Sequence, residues 1–192
     1  EGWTTPDGSL FLPAPEQQPD FPRDKQLMVA GCSYTDSGAL FSSALDPSML
    51  DIVEAILGPD IELYMEGQVM YKEPGGGYAK NLHQDELYFQ HVMEGPVGVL
   101  CYTIPTNLDN GALYVVPGSH KLGLLQAVDS FSHLALDPHQ WPWEKATPIL
   151  GEPGDAIFFH VKVIHGSREN RTGQGRAVFI HRYRHVDDYS FV

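Results

Sequence analysis

His83 and Asp85 stand two residues apart in the run Leu82-His83-Gln84-Asp85. Side chains on an extended strand alternate between faces, so this spacing aims an imidazole and a carboxylate at one side. They are two of the three donors of a 2-His-1-carboxylate facial triad, a set that leaves open coordination positions on Fe(II) and suits non-haem oxygenase chemistry. Alone, the pair reads equally well as a hydrogen-bonded couple on a surface. The metal reading needs a distal histidine and a holder for a co-substrate. His165 supplies the first, coming late in the chain after the apolar stretch 156–164 and opening His165-Gly166-Ser167. Arg176 supplies the second. A dicarboxylate that chelates iron at one end needs its other carboxylate held, and a planar guanidinium does this with two parallel hydrogen bonds. The competing reading of Arg176 is an ordinary strand salt bridge. Ser167 adds a hydroxyl two residues past His165.

The elements that must position these groups are mostly strands. Residues 61–71 read as extended, followed by the Pro74–Gly77 turn, and 82–89 as the strand carrying His83 and Asp85. Residues 97–105 and 112–116 are β-branched and aromatic runs joined by Asn107-Leu108-Asp109-Asn110-Gly111, and read as a hairpin closed by Pro117-Gly118-Ser119-His120-Lys121. The last strands are 156–160 and 177–183, with Arg176 expected one hairpin back from His165. One helix has full punctuation: Asp46 as N-cap, Pro47 at the first helical position, an apolar stripe of Ile52, Val53, Ile56 and Leu57, and Gly58-Pro59 as its end. Residues 1–45 read as an irregular arm rich in proline, anchored by Trp3, Phe11 and Phe21, with strand and loop in 27–41. Residues 122–150, with Trp141 and Trp143, read as a long loop of the kind that forms a lid, or packs onto the body of the domain. Many short strands and few helices make this an all-β domain spanning 1–192, with a double-stranded β-helix (cupin-like jelly roll) as the best fit.

Composition narrows the function. The net charge of −13 opposes a nucleic-acid partner and disfavours a large polyanionic substrate, unless a local basic pocket overrides it. Two cysteines, Cys32 and Cys101, are too few for a disulfide scaffold. No run is apolar enough to span a membrane and no signal peptide is visible, so a soluble, cytoplasmic protein is expected. The chain opens on Glu1 rather than Met, which leaves room for a preceding segment.

Several blocks together resemble the phytanoyl-CoA dioxygenase family of Fe(II)/2-oxoglutarate oxygenases. They are Tyr71-Lys72-Glu73-Pro74, the run from Leu82 to Phe89, Asp109-Asn110-Gly111-Ala112-Leu113, Val116-Pro117-Gly118-Ser119-His120-Lys121, Pro153-Gly154-Asp155, and His165-Gly166-Ser167 with Asn170-Arg171-Thr172 and Arg176. The resemblance covers about residues 61–185. It implies a jelly roll, iron on His83, Asp85 and His165, 2-oxoglutarate on Arg176 and Ser167, and Gln68, Tyr102 and Thr103 near the co-substrate. The implied reaction consumes O2 and hydroxylates a C–H bond with release of succinate and CO2. Asp85 favours hydroxylation, because related halogenases carry a small residue at that place. His160 and His181 fit the family pattern in structural or ligand-orienting roles, while His91, His120, His133, His139 and His185 read as turn or surface residues. The alternatives are a cupin-like metal isomerase or hydrolase without 2-oxoglutarate, which gives Arg176 no task, and a non-catalytic jelly-roll binding module, which needs none of the four residues. The departure from the family pattern is at the front, where helices normally lead into the barrel.

Overall fold

The computed structural model describes residues 3–4, 6, 10–13, 27–31, 34, 37–65, 67–130 and 133–190. In chain order the strands are β1 (Trp3–Thr4), β2 (Leu10–Pro13) and β3 (Leu27–Gly31), then helices α1 (Gly38–Ala44) and α2 (Pro47–Leu57). They continue as β4 (Ile61–Leu63), β5 (Gln68–Lys72), β6 (Lys80–His83), β7 (Val97–Tyr102), β8 (Leu113–Val115), β9 (Val128–Ser130) and β10 (His133–Ala135). The last four are β11 (Thr147–Ile149), β12 (Ala156–His160), β13 (His165–Ser167) and β14 (Arg176–His185). An eight-stranded sheet runs β1-β2-β3-β5-β14-β7-β12, with β4 also on β14, and a four-stranded sheet runs β11-β8-β13-β6. The two sheets form the double-stranded β-helix expected from the strand pattern. No helix among the described residues is long and apolar enough to cross a membrane.

β14 is the spine of the large sheet, and its two faces do different work. Period-two alternation sends Arg176, Val178, Ile180 and Arg182 toward the other sheet, where Val178 and Ile180 join Leu100, Tyr102, Leu113 and Phe159 in a buried cluster. The opposite face carries Tyr183, which packs with Val97, Val99 and Cys101 of β7 against Val53 of α2. All six residues of β7 are buried, because this strand is covered on both sides. Burying one such valine is worth roughly 1.5–3 kcal/mol.

α2 begins and ends as its punctuation requires. The Asp46 carboxylate accepts from the Ser48 and Met49 amides, and Gly58 closes the helix at φ 87°. Its buried stripe is not the expected one: Val53 and Leu57 face the sheet with Met49 and Leu50, while Ile52 and Ile56 are exposed. The arm also differs from expectation, since β1, β2 and α1 fall within residues 1–45, while β3 lies where strand was expected. Phe21 and Cys32 lie outside the described residues, as do the side chains of Trp3 and Phe11. Strand pairing explains the regular structure there: β2 pairs antiparallel with β3 and β3 with β5, so backbone partners outweigh the local proline content.

Two connections were misjudged. β7 and β8 are not a hairpin, because β7 pairs with β12 and β14 while β8 pairs with β11 and β13. The 107–111 turn therefore crosses from one sheet to the other. Residues 122–150 are not a bare loop. They contain β9, β10 and β11, bury Leu136, and set Trp141 and Trp143 against Leu82, Val116 and Ile164 on the outside of the small sheet. Packing of the excursion, the alternative reading, is what the tryptophans do.

His181, fully buried on the helix side of β14, fixes α1 to the sheet. The Ser43 hydroxyl donates to the Leu40 carbonyl, so its oxygen is left to accept from His181 Nε2 at 3.0 Å. Nδ1 then accepts from the Tyr34 hydroxyl at 2.9 Å. The ring is thus held neutral, and burial pulls its pKa down to about 4. With the folded value below the unfolded one, the unfolded chain binds more protons between about pH 6.5 and pH 4, and stability falls as pH drops through that window. The expected loss between pH 7 and pH 5 is about 2 kcal/mol from this residue. Urea unfolding at the two pH values, with an NMR titration of the His181 ring, measures it; a ring that titrates near 6.5 in the folded protein contradicts the tautomer.

Candidate metal centre

β6 and β13 lie side by side in the small sheet with His83 directly opposite His165. The two rings are 4.3 Å apart between centroids. Asp85 is not on the strand: β6 ends at His83, and Asp85 opens a 3-10 turn over Asp85–Leu87. It still faces the same way as His83, because the intervening Gln84 remains extended at φ −115° and ψ 136°. The alternation argument therefore holds for one residue beyond the strand itself. Gln84, fully buried, points away and locks the turn, donating to the Gly123 and Lys162 carbonyls at 2.9 and 2.7 Å and accepting from the Leu125 amide at 2.9 Å.

The donor atoms converge. His83 Nε2 and His165 Nε2 lie 3.4 and 3.6 Å from Asp85 Oδ1, and one ligand atom from each residue falls within 4.8 Å of the others. The second ring nitrogens are spoken for: His83 Nδ1 is 2.9 Å from the Asn81 carbonyl and His165 Nδ1 is 3.0 Å from the Val163 carbonyl. A carbonyl can only accept, so each Nδ1 carries a proton and each Nε2 is the inward-facing atom left for a metal. Burial, then the neighbouring His165 and opposed by Asp85, brings the His83 pKa down to about 4. For Asp85 burial works toward protonation, yet His165, His83 and Arg182 outweigh it and hold the carboxyl well below the usual carboxylate range. Two imidazole Nε2 atoms and one carboxylate are the donor set that a divalent cation takes, displacing any proton they carry. Gly166 permits the approach of the strands, since a Cβ there would stand 2.7 Å from the Lys80 carbonyl.

These ligands line a cavity of about 390 Å³ between the sheets. Arg176 stands in it on β14, 2% exposed, with Nε and Nη2 lacking acceptors among the described residues. It is not one hairpin back from His165; it belongs to the opposite sheet and reaches the cavity from across the fold. Its guanidinium sits over the Tyr102 ring at 5.6 Å, and burial pulls its pKa to about 10, so it stays charged at neutral pH. A buried cation with an unfilled fork edge is a fitting counterpart for a carboxylate. Ser167 and Gln68 also line the cavity.

The other two expected co-substrate neighbours do not line it. Tyr102 is buried, its hydroxyl donates to the Ile149 carbonyl at 2.6 Å, and its ring lies against the Arg176 guanidinium. Thr103 is exposed one residue past the end of β7, and its hydroxyl donates to the Ala177 carbonyl at 2.7 Å. Alternation turns it away from the interior.

Other groups in the cavity were missed or left open. Arg182 follows Arg176, Val178 and Ile180 on the same face of β14, a period-two signal that the sequence already carried. Lys72 is buried rather than solvated, donates to the Tyr78 carbonyl, and has its pKa pushed well below the usual lysine value by burial and then by Arg176. Lys80 reaches the Tyr88 hydroxyl at 2.9 Å, and burial brings its pKa to about 8. His160 lies on the far side, bonded to Glu94, and His91 is buried under Tyr64 rather than on the surface.

Known proteins share this pattern. The family model for "Phytanoyl-CoA dioxygenase (PhyH)" matches residues 9–178. A "Probable phytanoyl-CoA dioxygenase" of Caenorhabditis elegans is 32% identical over 176 residues, covering 77% of this chain and 52% of the relative. The "Phytanoyl-CoA dioxygenase, peroxisomal" of Mus musculus is 31% identical over 172 residues, with 77% and 47% covered. The chain thus spans about half the length of the curated relatives it matches. Among solved structures, the epimerase SnoN in complex with Fe3+, alpha ketoglutarate and nogalamycin RO superposes with a TM-score of 0.71 at 18% identity, over 88% of this chain and 68% of that one. That likeness concerns the fold. The order of the sequence blocks, the family match and its extent along the chain lead to one conclusion: this chain belongs to the phytanoyl-CoA dioxygenase (PhyH) family.

Proposed function

We propose that the chain carries the active centre of an Fe(II)/2-oxoglutarate-dependent dioxygenase that hydroxylates a C–H bond of a small molecule. The observation that carries this reading is one cavity containing both a preformed His83, Asp85 and His165 donor set and a buried Arg176 with an unfilled fork edge. Bound iron, with 2-oxoglutarate and O2, supplies the oxidising power: one oxygen atom goes into the C–H bond, the other into succinate, and CO2 leaves.

The protein's own contribution is positional. The Asn81 and Val163 carbonyls fix both imidazoles in the metal-binding tautomer and orientation. Gln84 holds the turn that presents Asp85. Arg176, stiffened by the Tyr102 ring, selects a 2-oxo acid with a second carboxylate, and Ser167 offers a hydroxyl beside it. Met70, Leu100, Leu113, Phe159, Val178 and Ile180 make an apolar wall that keeps water from the reacting atoms. A cupin-like isomerase or hydrolase would leave the buried Arg176 charge without a purpose.

Anaerobic titration of the protein with Fe(II) and then 2-oxoglutarate tests the reading. A weak visible charge-transfer band should grow on adding the oxo acid, and succinate should form once O2 and substrate are admitted. Tight Fe(II) binding with no response to 2-oxoglutarate would favour the isomerase or hydrolase.

A further inference from the structure

We infer that the substrate is a small acid, a carboxylate or phosphonate, whose oxyanion docks on Arg182 beside the ligand set; this rests on the oxygenase reading. Arg176 and Arg182 stand at opposite ends of the inward face of β14, six residues apart, which in an extended strand is about 20 Å. One guanidinium cannot do the work of the other. Arg176 is assigned to the co-substrate. Arg182 has no such task, yet it is 6% exposed and lines the same cavity.

The contacts of Arg182 leave it partly unsatisfied in a specific direction. Nη1 donates to Gln68 Oε1 at 2.9 Å, which fixes the plane of the group. Nη2 stands 3.7 Å from Asp85 Oδ2, an electrostatic contact too long for a hydrogen bond. Nε has no acceptor. Nε and Nη2 form one edge of the fork, and a planar or tetrahedral oxyanion takes that edge with two parallel bonds. The Phe89 ring, 5.1 Å below the guanidinium, backs the other side.

Charge points the same way. The cavity is lined by Lys72, Lys80, Arg176 and Arg182 against Asp85 as its acidic group, although the chain as a whole carries −13. A divalent cation and the two charges of 2-oxoglutarate cancel, and Asp85 offsets one arginine. Even with both lysines counted as neutral, a positive charge is left in a buried site, and an anionic substrate is what offsets it. The apolar residues between the two arginines suit the carbon skeleton of a short acid, within a volume ordinary for a small-ligand site.

The test uses protein loaded with Ni(II), which does not turn over, and saturated with 2-oxoglutarate so that Arg176 is occupied. Butanoate, propylphosphonate and butanamide are then titrated calorimetrically. At least one acid should bind 10-fold or more tighter than the amide. Arg182→Gln should abolish that preference while 2-oxoglutarate affinity stays within about threefold and nickel content is unchanged. Arg182→Lys should remain acid-selective but bind more weakly, and it serves if the glutamine variant is poorly folded. Amide binding as tight as acid binding, no acid binding, a preference that survives Arg182→Gln, or acids that compete with 2-oxoglutarate would each overturn the inference. Failure of 2-oxoglutarate itself to bind the nickel protein appears in the first titration, and is the separate failure of the oxygenase reading.

Discussion

Replacing either histidine of the donor set, as His83→Ala or His165→Ala, should lower Fe(II) affinity by more than about 100-fold and abolish succinate formation, with the fold intact. Loss of ligand-supporting groups alone costs 10–100-fold in comparable sites, and here one of three direct ligands goes. The fold survives because the two main apolar clusters are built from β7, β8, β12, β14 and α2, and neither includes a ligand. Both rings are buried, and truncation costs each a hydrogen bond to a backbone carbonyl. Iron content by colorimetric assay and a thermal unfolding curve on each purified variant measure the two halves separately. Full iron loading and turnover in either variant would refute the assignment. Unfolding of both would instead mean that the strand pair β6 and β13 needs its histidines for stability.

Arg176→Met should raise the 2-oxoglutarate requirement by two to three decades. Removing one partner of a buried, hydrogen-bonded ion pair costs roughly 3–5 kcal/mol, and each 1.4 kcal/mol is about a tenfold change in affinity. Arg176→Lys keeps the charge without the fork and should have a smaller effect, because a lysine makes a point contact where the arginine makes two parallel bonds. Iron content should be nearly unchanged in both, since Arg176 belongs to the opposite sheet from the two histidines. The apparent KM for 2-oxoglutarate in the wild type and the two variants, with iron measured independently, decides it. An unchanged KM in the Met form would move the clamp elsewhere, and lost iron would make Arg176 a structural residue.

Much of the centre was legible in the chain because its geometry is local or periodic. His83 and Asp85 are separated by one extended residue, so their common direction follows from backbone alternation even though the strand ends between them. α2 carries its start and stop in Asp46, Pro47 and Gly58, whose conformational preferences act within a few residues. The jelly roll follows from many short strands with turn residues between them, and the family blocks give the order in which site residues arrive.

Tertiary structure alone decided the rest, because it depends on which strands pair at long range. The sequence has a strong turn at 107–111, but a turn does not say whether its flanking strands join each other or enter different sheets; here they enter different sheets. The same choice puts Arg176 across the cavity from His165 rather than beside it. It turns Thr103 outward while the Tyr102 ring backs Arg176, and lays Trp141 and Trp143 on the outer side of the small sheet instead of over the metal. Arg182 is the mixed case. Its face was readable from Arg176 by counting in twos along β14, but its closeness to Asp85, which comes from the other sheet, required the sheets to be closed around the cavity. Alternation along one strand is a property of the covalent backbone, whereas the meeting of two charged groups 97 residues apart in the chain is a property of the packing.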